Sequence, residues 1–342
     1  MTTTKPYATP TAIWAAARDR ARTAAHLYGR PAPELLRQFT FQRMLARVFT
    51  EPETPWVLKG GNALLARIQD ARHSRDIDLL ARIDAVDDAL ENFRNTISCD
   101  LGDHFAFAVT KVRQIGGTDQ QAEVTGRNLT ITPRIGSKKL DPFPVDLVTG
   151  SLMTSEPEIL TARPLVELPG LDLPPFRLYP AVDHVADKLC ATETVYRGRP
   201  STQIRDLVDL VVIARTQGMG LSDLRSAIHQ ERVHRNLPAT DTFQAPDGWA
   251  ATYPAAAAAT PLCDGLTFDD AVALVSHLLA PALTDTTDDA SWNPISTTWD
   301  SAAVKGPSDM NTSDDAGDEF EGTDRSRQTG RCMQDASRSC PS

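Results

Sequence analysis

Two aspartates one residue apart, Asp76 and Asp78, sit in the apolar run SRDIDLLA, and a glycine pair, Gly60 and Gly61, precedes them in VLKGGNALLAR. Residues two apart on a strand point to the same face, so the two carboxylates should stand side by side. Like charges held that close disfavour each other's ionisation, and a divalent cation is the common remedy. Oxygen ligands suit Mg²⁺, which keeps waters and takes further ligands from phosphates. A third carboxylate, Asp146 in FPVDLV, lies on another strand-like segment. If that strand pairs beside the first, three aspartates converge. Three carboxylates and a nucleoside triphosphate make a two-metal site: one ion activates an attacking hydroxyl, the other holds the phosphates and the leaving pyrophosphate.

Gly60 and Gly61 let backbone approach a phosphate, and the helix start that follows offers free N–H groups. Asn62 reads as the cap of that helix, while Lys59, Arg72 and Arg75 bring positive charge nearby. The stretch has the layout of nucleotidyl transfer. Each signal is weak alone: D-x-D is frequent at solvated strand ends, GG usually marks a turn, and Asp146 could be an ordinary strand-end residue. Their combination favours the site.

Further along, HVADKLCA places Lys188 on a largely apolar helix, and RDLVDL places Arg205, Asp206 and Asp209 on another. A snorkelling lysine and an ion pair between helices would account for these residues. Lys188 facing a cleft could instead bind the triphosphate as a point charge, and Arg205 could do the same. Asp206 would then orient Lys188 or touch the nucleotide. Ser74 precedes Asp76 by two and shares its face on an extended segment. A phosphate there would add about −2 of charge and could occupy the triphosphate's place.

These residues need a scaffold. TAIWAAARDRARTAAHLYGR and PAPELLRQFTFQRMLARVF read as two helices, the second with an apolar stripe from Leu35 to Val48. TPWVLKGG and SRDIDLLA read as strands, as do Phe105–Ile115, Arg127–Ile135 and Phe143–Gly150. Pro164–Pro180 marks a boundary, after which Ala181–Arg197, Thr202–Thr216, Leu221–Arg235 and Thr267–Leu283 read as helices, the last capped by Thr267. Strands mixed with helices, then helices alone, indicate an α+β fold. The expected domains are residues 1–165, 166–283 and a disordered acidic tail, 284–342.

The 342 residues, 41% hydrophobic and 23% charged, are of globular type. No run suits a membrane span and the N-terminus has no apolar signal region. Five scattered cysteines without C-x-x-C spacing argue against a disulfide framework or structural zinc and fit a cytoplasmic protein. Of the net charge of −10, the 12 acidic and 5 basic residues from Asp285 onward carry −7, leaving −3 for the rest. Any nucleic-acid partner must therefore be held by a local basic patch.

Taken in order, ELLRQFTFQRMLARVF, WVLKGGNALLAR, RHSRDIDLLA, VDLVTG, ADKLCA and IRDLVDLVVIA, spanning about Glu34 to Ala214, resemble the AbiEii/AbiGii nucleotidyltransferase toxins of bacterial toxin–antitoxin and abortive-infection (phage-defence) systems. These belong to the DNA polymerase β-like nucleotidyltransferase superfamily. The resemblance implies a small mixed sheet carrying the catalytic aspartates, a helical C-terminal domain closing a cleft, Mg²⁺, an NTP substrate, a cognate antitoxin and, for some members, transfer to the tRNA 3′ end. Carried over, it gives Gly60, Gly61, Asp76, Asp78, Asp146, Lys188 and Asp206. Two departures stand out: Asn62 where the wider superfamily has Ser after Gly, and Arg205 where the family has Lys.

The expected protein is thus a Mg²⁺-dependent nucleotidyltransferase moving NMP to an acceptor hydroxyl. Asp76, Asp78 and Asp146 hold a metal pair. Lys188 and Asp206 complete the catalytic set, and Lys59, Gly60, Gly61, Asn62, Ser74 and Arg205 bind the nucleotide. A basic surface around Arg199, Arg205, Arg225, Arg232 and Arg235 would favour RNA as acceptor. The rivals are a protein or small-molecule acceptor, and an inactive binding module, against which the intact aspartate set argues.

Overall fold

The computed structural model describes residues 7–69, 71–115, 125–195, 198–284 and 289–301. Helices α1 (Pro10–Tyr28) and α2 (Ala32–Val48) come first. Thr9 caps α1 by accepting from the Ala12 amide at 3.2 Å, and Gly29 closes it in the left-handed region at φ +63°. Then come β1 (Trp56–Lys59), α3 (Gly60–Arg67), β2 (Ile77–Ala81), α4 (Val86–Ile97), β3 (Phe105–Ile115), β4 (Thr125–Ile135), β5 (Lys138–Lys139) and β6 (Phe143–Thr149). Short strands β7 (Glu158–Leu160) and β8 (Phe176–Leu178) precede α5 (Ala181–Glu193), α6 (Arg205–Ala214), β9 (Met219–Gly220) and α7 (Leu221–His234). The described chain closes with α8 (Tyr253–Ala257), α9 (Phe268–Leu283), β10 (Ala290–Asn293) and β11 (Thr298–Ser301).

The main sheet has the order β3-β4-β6-β2-β1-β8-β7, with β5 on β4. It is mixed: β2 pairs antiparallel with β1 but parallel with β6. The pleat sorts its two faces. Leu58, Ile77, Leu79, Leu129, Val145 and Leu147 point to one face and share a core with α1, α2 and α4. The opposite face carries Val57, Leu80 and Tyr179, and in line with them the polar residues described below. A second core holds α5, α6, α7 and α9, and reaches Leu64 of α3 and Ala71. Helix α3 therefore has its base in the sheet and its apolar side in the helical core.

Most expected elements form, with the α+β class and the small mixed sheet as anticipated. Three features were not anticipated. Helix α4 buries Val86, Ala89, Leu90, Phe93 and Ile97 at helical spacing, each large side chain contributing about 1.5–3 kcal/mol. The Pro-rich stretch expected to be a boundary supplies β8, which pairs parallel with β1. Within the expected tail, β10 pairs with β9 and β11. Trp292 anchors this small sheet, its indole donating to the Ala214 carbonyl at 2.7 Å. The tail from residue 302 onward, expected to be disordered, lies outside the described residues. Thr267 does cap α9, in a reciprocal box with Asp270.

Candidate active site

The register of four strands writes one polar row across the sheet. Lys59 on β1 stands opposite Asp78 on β2, Asp78 opposite Asp146 on β6, and Asp146 opposite Asn128 on β4. Directly opposed residues share a face, so all four point away from the α1/α2/α4 core. Asn128 donates to the Asp146 carboxylate at 2.6 Å. Lys59, buried, lays its ammonium over the Tyr179 ring at 4.2 Å, a cation–π contact.

Gly60 joins this row to the helix. Its φ is +60°, and a Cβ there would lie 1.8 Å from Asp78 Oδ2. The position thus needs glycine for both its backbone and its neighbour. Gly61 is tighter than average too, with a Cβ placed 2.9 Å from Ser74 Oγ. Contrary to expectation, Asn62 does not cap α3; Lys59 is the cap residue. The Asn62 side chain instead donates to the Asp76 carbonyl at 2.5 Å and accepts from Gln38 at 3.3 Å. It fixes the bend before β2 because α3 folds back over the residues that lead into that strand. Asp76 lies one residue outside β2, and Ser74 Oγ donates to its carboxylate at 2.6 Å.

Charge in this row is only partly compensated, by Lys59 and Lys188. Burial pushes the Asp78 carboxyl up to about 7, and the neighbouring Asp76 and Asp146 carboxylates push in the same direction. Burial also raises Asp146, against the hydrogen bond from Asn128. An all-oxygen set of like charges that the nearby lysines offset only in part is the environment that fits Mg²⁺. Among the described residues no three carboxylate, imidazole or thiol groups already surround a single point, so ligands from the nucleotide and water would have to complete a shell.

Lys188 and Asp206 meet as expected, at 2.8 Å. The larger partner was missed. Asp209, wholly buried, pairs with Lys188 at 2.7 Å and takes a two-pronged bond from Arg72, both contacts 2.7 Å. Burial works against the charge on Lys188, yet Asp206 and Asp209 outweigh it and raise its pKa. Asp209 is likewise held ionised despite burial, by Lys188 and Arg72. Its sequence signal was its spacing three residues after Asp206, which puts both on one face of α6. Asn128 had none, because only strand register brings it to Asp146.

Other expected residues fall differently. Arg232 pairs with Glu193, and Arg235 with Glu231 and Asp187, both arginines buried. Arg225 donates to the Pro281 carbonyl. The basic surface expected from these arginines together with Arg199 and Arg205 therefore does not form; Arg199 and Arg205 remain exposed. His73 is half-buried, 3.6 Å from Glu34. Trp56 and Trp249 are core residues. A cavity of about 760 Å³ between α1, α2 and residues 161–173 lies away from the aspartates; chemistry, not volume, locates the site.

A protein-family profile described as "Nucleotidyl transferase AbiEii toxin, Type IV TA system" matches residues 43–276. The chain belongs to this family. It is a nucleotidyltransferase of the AbiEii toxin type. Solved structures similar to it include the nucleotidyltransferase toxin MenT4 of Mycobacterium tuberculosis, 17% identical, covering 78% of this chain and 94% of that one at a TM-score of 0.46. Two Helicobacter pylori structures are similar as well. One is 18% identical over 72% and 93% of the two chains at a TM-score of 0.40; the other, JHP933, is 17% identical over 72% and 90% at 0.38. Comparison with curated proteins gave no match. The profile match encloses Lys59 through Asp209, and so the whole polar row and the Lys188 network of this AbiEii-type chain. Among its described residues no helix is long and apolar enough to cross a membrane.

Proposed function

We propose that this AbiEii-type enzyme transfers a nucleoside monophosphate from an NTP to the 3′-terminal hydroxyl of tRNA, so that the tRNA no longer accepts an amino acid. Asp76, Asp78 and Asp146 would hold Mg²⁺, which when bound screens the triphosphate and lowers the pKa of a coordinated hydroxyl. The observation that carries the reading is the in-register pair Asp78 and Asp146, set directly beside the positive-φ Gly60 at the start of α3.

The chain's own residues divide the work. The amides at the start of α3 and the absence of side chains at Gly60 and Gly61 receive the phosphates. Lys188, held by Asp206 and Asp209, presents a fixed positive charge; Arg205 at the start of α6 adds an exposed one. Lys59, Asn62 and Ser74 support the nucleotide site from beneath, through Asp78, the Asp76 carbonyl and the Asp76 carboxylate. The acceptor oxygen attacks the α-phosphorus, the bond to the β-phosphate oxygen breaks, and pyrophosphate leaves. Asp146, raised by burial and oriented by Asn128, takes the hydroxyl proton. A cytoplasmic antitoxin would restrain the activity.

The test is incubation of purified protein with total bacterial tRNA, Mg²⁺ and each α-labelled NTP in turn, beside Asp78→Ala. Label entering tRNA with one NTP, and absent with Asp78→Ala, supports the reading. Label entering protein or small molecules instead moves the acceptor and overturns the tRNA assignment.

A further inference from the structure

One face of the protein combines exposed positive charge with a half-buried aromatic ring that lines a pocket, and leads to the aspartates. A cleft of about 470 Å³ is lined by Arg37, Arg75, Arg205, His73 and Ser74. Ser74 is the residue bonded to the Asp76 carboxylate, so this cleft opens beside the proposed metal ligands. A second pocket of about 280 Å³ is lined by Trp14, Lys138, Lys139 and, again, Arg37. Pro33 and Arg37 line both, which makes the two cavities neighbours across the first turns of α2.

The charges here are available. Arg37, Arg75, Arg205, Lys138 and Lys139 are all exposed, and the ion pairs of the described residues engage none of them. This differs from the inward arginines of α7, whose charge is consumed by Glu193, Glu231 and Asp187. Glu34 and Asp141 are the acidic residues lining the same two cavities. On a chain whose net charge outside the tail is about −3, such a local excess marks a surface for an anion. Trp14 is half-buried, and Lys138 sits 5.2 Å from the centre of its ring. An aromatic ring that lines a pocket beneath an exposed lysine, with further cations spaced along a groove, is a combination that binds single-stranded nucleic acid: a base takes the lysine's place on the ring and the cations follow the backbone.

The geometry points to these two joined cavities as the seat of a single-stranded RNA acceptor end, with a base on Trp14 and the backbone following Arg37 and Arg75 toward the aspartates. The inference rests on the nucleotidyl-transfer reading with an RNA acceptor, and names where that acceptor lies. It places the RNA on α1, α2 and β5, and of the arginines first expected to bind it keeps only Arg205.

Binding is measured without NTP, so that it is independent of the reaction. A single-stranded RNA of about eight nucleotides, within the site sizes of such grooves, is titrated against the full chain while tryptophan fluorescence is read. Of the five tryptophans, Trp56, Trp249 and Trp292 are buried and the half-buried Trp299 lines neither cavity, so a large share of the quenching is expected from Trp14. It should fall at least twofold in Trp14→Phe, whose unchanged melting temperature reports an intact fold. Arg37→Ala should weaken binding and lower the log–log salt slope by about 0.7, the loss of one phosphate contact on a single strand. Quenching and affinity equal in Trp14→Phe and the native protein, or tighter binding to duplex than to single strand, would overturn the inference. Trp14-dependent binding with no label transferred to tRNA would support the site and overturn the proposed reaction instead.

Discussion

Asp78 and Asp146 come from segments 68 residues apart in the chain, yet they face each other directly on parallel neighbouring strands. Lys59 flanks the pair on one side and Asn128 on the other. The pair thus sits between a cation that is stacked on Tyr179 and an amide that holds Asp146. Two carboxylates so placed are unfavourable by themselves, and the fold supplies only part of the compensation. The remainder is left for a bound cation.

Replacing Asp78 by Asn removes one of three neighbouring like charges. Nucleotide transfer should disappear. In the absence of Mg²⁺ the melting temperature at pH 8 should match or exceed that of the native protein, because the repulsion is relieved. Mg²⁺ with NTP should raise the melting temperature of the native protein by mass action but leave Asp78→Asn unmoved. Equal stabilisation of both by Mg²⁺ and NTP would remove Asp78 from the metal ligands.

Gly60→Ala should abolish transfer and lower the melting temperature. The left-handed backbone costs a side-chain-bearing residue about 1–2 kcal/mol, and the added methyl must also displace the Asp78 carboxylate. Gly61→Ala should be milder, since its new methyl meets the movable hydroxyl of Ser74. Comparing both variants by melting and by label transfer tests this order; an active Gly60→Ala would show that Asp78 need not stay where it is.

Asp209→Asn strips two cations, Lys188 and Arg72, of their common buried partner. A loss of about 3–5 kcal/mol is expected. Asp206 is nearer to solvent and serves Lys188 alone, so Asp206→Asn should lose less stability while still reducing transfer. Denaturant unfolding of the two variants side by side checks the order, which would be reversed if Asp206 were the principal anchor.

Ser74→Asp places a fourth carboxylate against Asp76, and should lose transfer where Ser74→Ala keeps most of it. Ser74 is buried, so any enzyme that phosphorylates it must meet the chain in a locally opened state. Transfer by Ser74→Asp at the native rate would show that charge at this position does not reach the nucleotide.

His184 predicts a pH dependence. It is buried, with neither ring nitrogen hydrogen-bonded, and packs edge-on against Tyr179. Burial, then the Lys188 charge, lowers its pKa to about 3. A histidine that is less basic in the folded state destabilises it as pH falls, since the unfolded chain binds the proton first. Its share of the stability loss therefore lies between pH of about 6.5 and about 3, with a slope of up to about 1.4 kcal/mol per pH unit. His184→Phe should flatten the slope of unfolding free energy in that window; an unchanged slope would place the titration elsewhere.

Much of this was legible in local pattern. The D-x-D spacing, the glycine pair and the apolar periodicities of α1, α2, α5, α6 and α9 are statements about neighbours in sequence, and short-range geometry fulfils them. Ser74 met Asp76 because a two-residue spacing is fixed by the backbone alone, whereas Lys188 met Asp206 only through the packing of α5 against α6. Asn62 was misread for the complementary reason: a cap is chosen by where the helix begins, and α3 begins at the positive-φ Gly60, three residues earlier than a cap at Asn62 would place it.

The amino-acid sequence by itself determined the residue types of the site, the strands and helices that carry most of them, and the family to which the chain belongs. Tertiary structure alone decided which of these residues meet. The parallel pairing of β2 with β6 aligned Asp78 with Asp146, and the antiparallel pairing of β4 brought Asn128 alongside. Packing of α5 against α6 buried Asp209 beneath Lys188 and Arg72, and turned the α7 arginines inward. The reason is physical: strand register and helix packing are set by long-range burial of apolar faces, and a charge buried by that packing is held only where an opposite charge is brought to meet it.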